Sequence, residues 1–165
     1  MKKLLLILVL VLLLFGCAED PKKQANPDER YIYIIDMLKE HEVFQISSDY
    51  YDINIEMAKI NDGYRYYITL DNPKIAMYDI ELLAIEDGVD YLDQMAANVG
   101  IFEETQYNMI PNQANVAKGY TKGIVASGVS KRSDTALYIF VQFKNADYSK
   151  VHTEYFKLPV KYENE

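Results

Sequence analysis

Tryptophan is absent from the 165 residues, cysteine occurs once and histidine twice. A single cysteine excludes an internal disulfide framework and any cysteine-based zinc cluster. With 7 glycines and 5 prolines, the chain is neither collagen-like nor a linker. Positive charge is also short, since 17 Lys+Arg stand against 25 Asp+Glu for a formal net charge of -8. A nucleic-acid binder needs a basic footprint to neutralise phosphates, so that class is set aside. No phosphate loop, dinucleotide fingerprint, heptad run or internal repeat is present. The length is that of about one domain, on a prior of roughly 100–200 residues each.

What is there begins at the N-terminus. Met1-Lys2-Lys3 precedes an unbroken apolar run from Leu4 to Phe15. That run is too short for a membrane span of about 20 residues, and it has the length of a signal-peptide core. It ends Leu14-Phe15-Gly16-Cys17, and Cys17 is the sole cysteine. This segment resembles the lipobox of bacterial lipoproteins, in which a small residue precedes a cysteine that is acylated and becomes residue one. The resemblance implies a signal peptide over residues 1–16. It also implies palmitate-type acyl chains on Cys17 and a place on the extracytoplasmic face of the cell membrane. Losing Lys2 and Lys3 with that peptide takes the formal charge from -8 to -10. Anionic lipid repels such a domain, so the lipid on Cys17 is expected to make the attachment, with the domain projecting outward.

Residues 17–27 read as the lipidated cysteine and a polar tether, too hydrophilic to bury. Residues 28–165 read as one domain. Asn26-Pro27-Asp28-Glu29 is a helix start, with a cap, a first-turn proline and acids at the positive end. Tyr31, Ile34, Ile35 and Leu38 continue it at helical spacing to about Glu42. The period then becomes two. Tyr51, Ile53, Ile55 and Met57 alternate with polar positions, Asn61-Asp62-Gly63 makes a turn, and Tyr64 to Leu70 returns, a hairpin. Ala76 to Glu86 reads as a third strand. Asp90 to Asn98 reads as a short helix closed by Gly100, with Leu92, Met95, Ala96 and Val99 on one side. Further strands are expected near Tyr107–Ile110, within Val116–Val129, at Ala136–Phe143 and at Tyr155–Val160. About seven strands without a βαβ rhythm predict a mainly β antiparallel sandwich with an N-terminal helix and one short inserted helix.

The strand pairs leading to Ile110-Pro111-Asn112-Gln113, then a glycine-spaced strand, then ALYIFVQF, resemble the immunoglobulin-like domains of Gram-positive surface lipoproteins. The resemblance spans roughly Ser48 to Val160. It implies a fold and a location, and it brings no catalytic residues.

The residues offer little chemistry of their own. His41 and His152 lie far apart and outside any HxxxH or HExxH spacing. The serines lack a nucleophile elbow. Asp87, Asp90 and Asp93 cluster around Gly88, but the EF-hand order is not met, and a strand-ending turn accounts for them. No cofactor is expected. The tyrosines are the most suggestive feature: Tyr64, Tyr66 and Tyr67 flank Arg65 on one strand. Whichever face is exposed presents rings with polar tips suited to protein or sugar ligands, although high β-propensity is the favoured account of them. The expectation is a non-enzymatic lipoprotein whose partner is an envelope protein or wall polymer. A carboxylate-based envelope hydrolase and a small-ligand carrier or sensor are the alternatives.

Overall fold

Helix α1 runs over Pro27–Glu40 of a computed structural model, which describes residues 26–91 and 94–163. The Asn26 side-chain oxygen accepts from the Asp28 N–H at 3.2 Å, and Asp28 and Glu29 occupy the first turn. Tyr31, Ile34, Ile35 and Leu38 form the buried stripe. The helix stops two residues short of the expected Glu42. His41 turns extended there and stacks on Tyr155, with 3.7 Å between ring centroids.

The rest of the described residues are strand and loop, apart from a single 3-10 turn at Val116–Lys118. Strands β1 (Asp52–Ile60) and β2 (Gly63–Asp71) form the expected hairpin about Asn61-Asp62-Gly63. Then come β3 (Tyr78–Glu86), β4 (Ala97–Val99), β5 (Asn108–Met109), β6 (Tyr120–Thr121) and β7 (Gly123–Ser130). The last two are β8 (Asp134–Lys144) and β9 (Val151–Lys161). One sheet has the order β1-β2-β7 and a second the order β4-β3-β8-β9, while β5 and β6 make a small parallel pair. Within the two larger sheets every pairing is antiparallel. The described residues thus hold nine strands rather than about seven. The surplus comes from short pieces of two or three residues that hydrophobic period cannot register.

The two larger sheets face each other across the main core. Tyr66, Ile68, Leu70, Ile124 and Ala126 of the first meet Ile80, Leu82, Leu137, Ile139, Val141 and Phe156 of the second. The alternate residues Leu83, Ile85 and Phe140 point to the other face, where α1 covers them with Ile34, Ile35 and Leu38. Two contacts give the helix its direction. The Ala96 N–H donates to the Tyr31 hydroxyl beside β4, while His41 lies on Tyr155 of β9. Helix α1 therefore crosses the four-stranded sheet from its β4 side to its β9 side.

One expected element is corrected. Residues 92 and 93 lie outside the described set, but the described part of Asp90–Asn98 is not helical, and Ala97–Val99 is strand β4. It pairs with β3 through Ala84↔Ala97 and Leu82↔Val99. Ala97 and Val99 both enter the sheet–sheet core, a period-two placement that the helical spacing of Leu92, Met95, Ala96 and Val99 concealed. Gly100 then reverses the chain at φ +80°, where a Cβ would strike the Ile80 carbonyl oxygen.

Candidate functional site: a groove between the helix and the four-stranded sheet

The tyrosine hairpin does not form one surface. Tyr66 is buried in the core, and Tyr64 is half-buried against Tyr162, with ring centroids 5.5 Å apart. Arg65 and Tyr67 alternate to the outer face, where Tyr67 is exposed. Tyr66 shares the inward face with Ile68 and Leu70, and β7 makes room for its ring. Gly128 stands directly opposite Tyr66, and a Cβ there would collide with the Tyr66 hydroxyl. Of the acidic trio, Asp93 falls outside the described residues, as does Cys17. Asp87 and Asp90 are exposed around Gly88, and among the described residues no three His, Cys, Asp or Glu side chains gather as metal ligands.

A concave site lies elsewhere, where α1 leaves part of the sheet uncovered. One wall is the end of the helix and the chain just beyond it: Leu38, Lys39, His41 and Phe44. The other is the end of β3 and its loop, Ile85 to Val89, with Tyr138 and Lys157 between them. The groove has a volume of about 580 Å³. A second groove of about 480 Å³ lies along the helix beside Tyr31, Ile35 and Tyr91, and shares Lys39, Gly88 and Val89 with the first. Gly88 and Val89 therefore form a ridge between two adjoining depressions.

Ring packing shapes the first groove. Phe44 meets Tyr138 edge-on at 5.2 Å and His41 at 5.3 Å. Lys157 holds its ammonium 4.9 Å from the Tyr138 ring centroid. Hydrogen bonding to the Tyr138 hydroxyl raises the Lys157 pKa, which keeps that rim cationic. The second groove is bounded by Tyr31 and Tyr91, whose phenols burial pushes above their ordinary value. Neither ring ionises near neutrality, and the Tyr91 hydroxyl accepts from the Glu86 N–H at 2.7 Å.

Glu86 is the buried carboxylate at the groove, only 3% exposed. Ser130 Oγ donates to its Oε1 at 2.9 Å, and Arg132 Nε donates to the same oxygen at 2.6 Å. Glu86 is thereby held in a structural ion pair with Arg132. Glu154, the other well-buried carboxylate, accepts from Ser48 Oγ at 2.9 Å. Burial, helped by the charge of Glu154, drives the Tyr51 phenol upward and keeps it protonated. What the grooves offer is apolar walls, ring faces and both signs of charge on one rim. That chemistry suits non-covalent recognition.

Most of these residues were invisible to sequence reasoning. Lys39, Phe44, Tyr138 and Lys157 come from four separate segments. The one available signal was Val43-Phe44, an apolar pair following a polar helix end.

No family model matches the chain, and no curated protein matches it. Among solved structures, the X-ray structure of Northeast Structural Genomics Consortium target SoR45 is similar at a TM-score of 0.41 and 11% identity. That match covers 71% of this chain and 89% of the other.

Proposed function

We propose that this chain is a lipid-anchored, non-enzymatic binding module of the cell envelope. In this reading Cys17 carries the lipid and the polar residues up to Asn26 are the tether. The groove beside α1 receives a segment of an envelope protein or a wall polymer. An immunoglobulin-like arrangement of the two facing sheets belongs to the same proposal. The supporting observation is the groove itself, about 580 Å³ between Phe44, Tyr138, Lys157 and the Gly88–Val89 ridge. It combines ring faces with a mixed-charge rim, while the nearby buried carboxylate is already committed to Arg132.

A photo-crosslinking residue in place of Lys157 tests this in intact cells, with the same residue at Val125 on the outer face of β7 as control. A discrete adduct at 157, absent at 125, is expected, and equal labelling at both positions contradicts a groove-directed partner. A second reading, a small-ligand carrier, draws on the groove volume, which falls within the range of roughly 300–1,000 Å³ usual for such sites. A ligand of low mass recovered with the protein, and no crosslinked protein or polymer, would favour that reading.

A further inference from the structure

We propose that Arg132 is a latch on the ridge between the two grooves, and that releasing it opens the site. The proposal rests on reading those grooves as the binding site. Its observations come from the opposite side of the ridge.

At the crest of the ridge Asp87 and Gly88 are exposed, and Gly88 adopts φ +72° with open space around it. The local turn bond, Val89 N–H to the Glu86 carbonyl, is long at 3.4 Å. Both ends of the segment are instead fastened from the three-stranded sheet. At the first end, Glu86 is gripped by Ser130 of β7 and by Arg132, which stands two residues beyond it. Arg132 spans the junction, because its Nη2 also donates to the Asp87 carbonyl at 2.6 Å. At the far end, the Tyr91 hydroxyl accepts from the Glu86 N–H at 2.7 Å and lies beside the Tyr66 hydroxyl. Tyr66 comes from β2 and passes over Gly128.

Apart from Arg132 the groups involved are sealed from water: Glu86 is 3% exposed, Ser130 2%, Tyr66 1% and Tyr91 5%. Arg132 is the accessible one, with its side chain 49% exposed. Loss of its guanidinium leaves a buried carboxylate with Ser130 but without countercharge, and frees the Asp87 carbonyl. The inexpensive response is for the ridge to swing outward and hydrate Glu86, since burying an uncompensated charge is costly. Movement of Gly88 and Val89 then merges the two grooves, because these residues line both.

Hydrogen exchange on the mature protein tests the latch without any ligand. In Arg132→Gln, amides of residues 86–91 are expected to exchange about tenfold faster or more, with β8 amides unchanged. Tyr66→Phe keeps the ring and removes the hydroxyl, so a smaller rise confined to the same residues is expected. Unchanged exchange at 86–91 in both variants overturns the latch. So does a uniform rise across the whole chain, which signals general destabilisation. Because no ligand enters the measurement, a failed latch and a failed groove assignment are read separately.

Discussion

The two faces of the four-stranded sheet differ in how they are covered. Toward β1, β2 and β7 the sheet presents Ile80, Leu82, Ala84, Leu137, Ile139 and Val141, all between 0% and 1% exposed. A second sheet closes over them. Toward α1 the same strands present Leu83, Ile85 and Phe140, but also Glu81, Gln142, Tyr138 and Tyr155. Arg30 of the helix binds Glu81 at 2.7 Å and Gln142 at 3.1 Å. One 14-residue helix laid across four strands cannot seal such a face, and the uncovered remainder becomes the grooves. Alternation along β3 and β8 thus supplies a closed core on one side and a partly covered, grooved face on the other.

Single truncations break this contrast most sharply. Phe140→Ala and Ile139→Ala remove neighbouring, fully buried side chains from opposite faces. The losses expected in urea unfolding are about 3–5 and about 2–5 kcal/mol respectively. A Phe140→Ala loss well under about 1 kcal/mol would mean that the helix layer adds no packing of its own. Arg30→Ala comes next, at about 1–3 kcal/mol, because its partner carboxylate is largely shielded. Arg30 and Glu81 side chains are 18% and 12% exposed, so salt should weaken this pair less than the exposed Lys131–Asp62 pair.

A smaller, pH-dependent effect belongs to His152. Its ring lies 4.9 Å from Phe143, nearly parallel, with Tyr50 edge-on at the same distance. Burial lowers its pKa below 6.5, Lys150 pushes the same way, and Glu154 opposes both. The folded form therefore binds the proton less readily than the unfolded chain. Stability from this group is complete above the unfolded value and is lost as pH falls from there through the lower folded value. Replacing His152 by Gln should flatten the stability slope below about pH 7, and an unchanged slope would remove His152 from the account. The smallest stability change is expected for Lys157→Ala, within about 0.5 kcal/mol by thermal or urea unfolding, because the side chain sits on the rim.

Where local chemistry decides the structure, the sequence was legible. Asn26-Pro27 starts the helix, Asn61-Asp62-Gly63 turns the hairpin, and the doubly apolar run of β8 lies at the centre of its sheet between β3 and β9. Legibility failed where a distant partner decides. The apolar spacing before Gly100 fits a helix, yet the free edge of β3 captures Ala97–Val99 as a strand. Alternation placed Tyr64 and Tyr66 on the face of Ile68 and Leu70, and that apolar pair takes the face into the core. The room for the Tyr66 ring comes from a glycine on another strand, Gly128. The groove was the least legible part of the molecule. It is a gap left by incomplete coverage, and a gap has no residue pattern of its own.

The central claim is that this domain works while tethered to a membrane through Cys17. Intact and peptide mass spectrometry of the detergent-extracted protein tests it most directly. The account predicts a chain beginning at Cys17, lacking Met1 to Gly16, with acyl mass on the N-terminal peptide. It also predicts that Cys17→Ser abolishes both the cleavage and the added mass. A wild-type chain that is cleaved elsewhere or carries no acyl group, or a serine variant processed and retained like wild type, would contradict it.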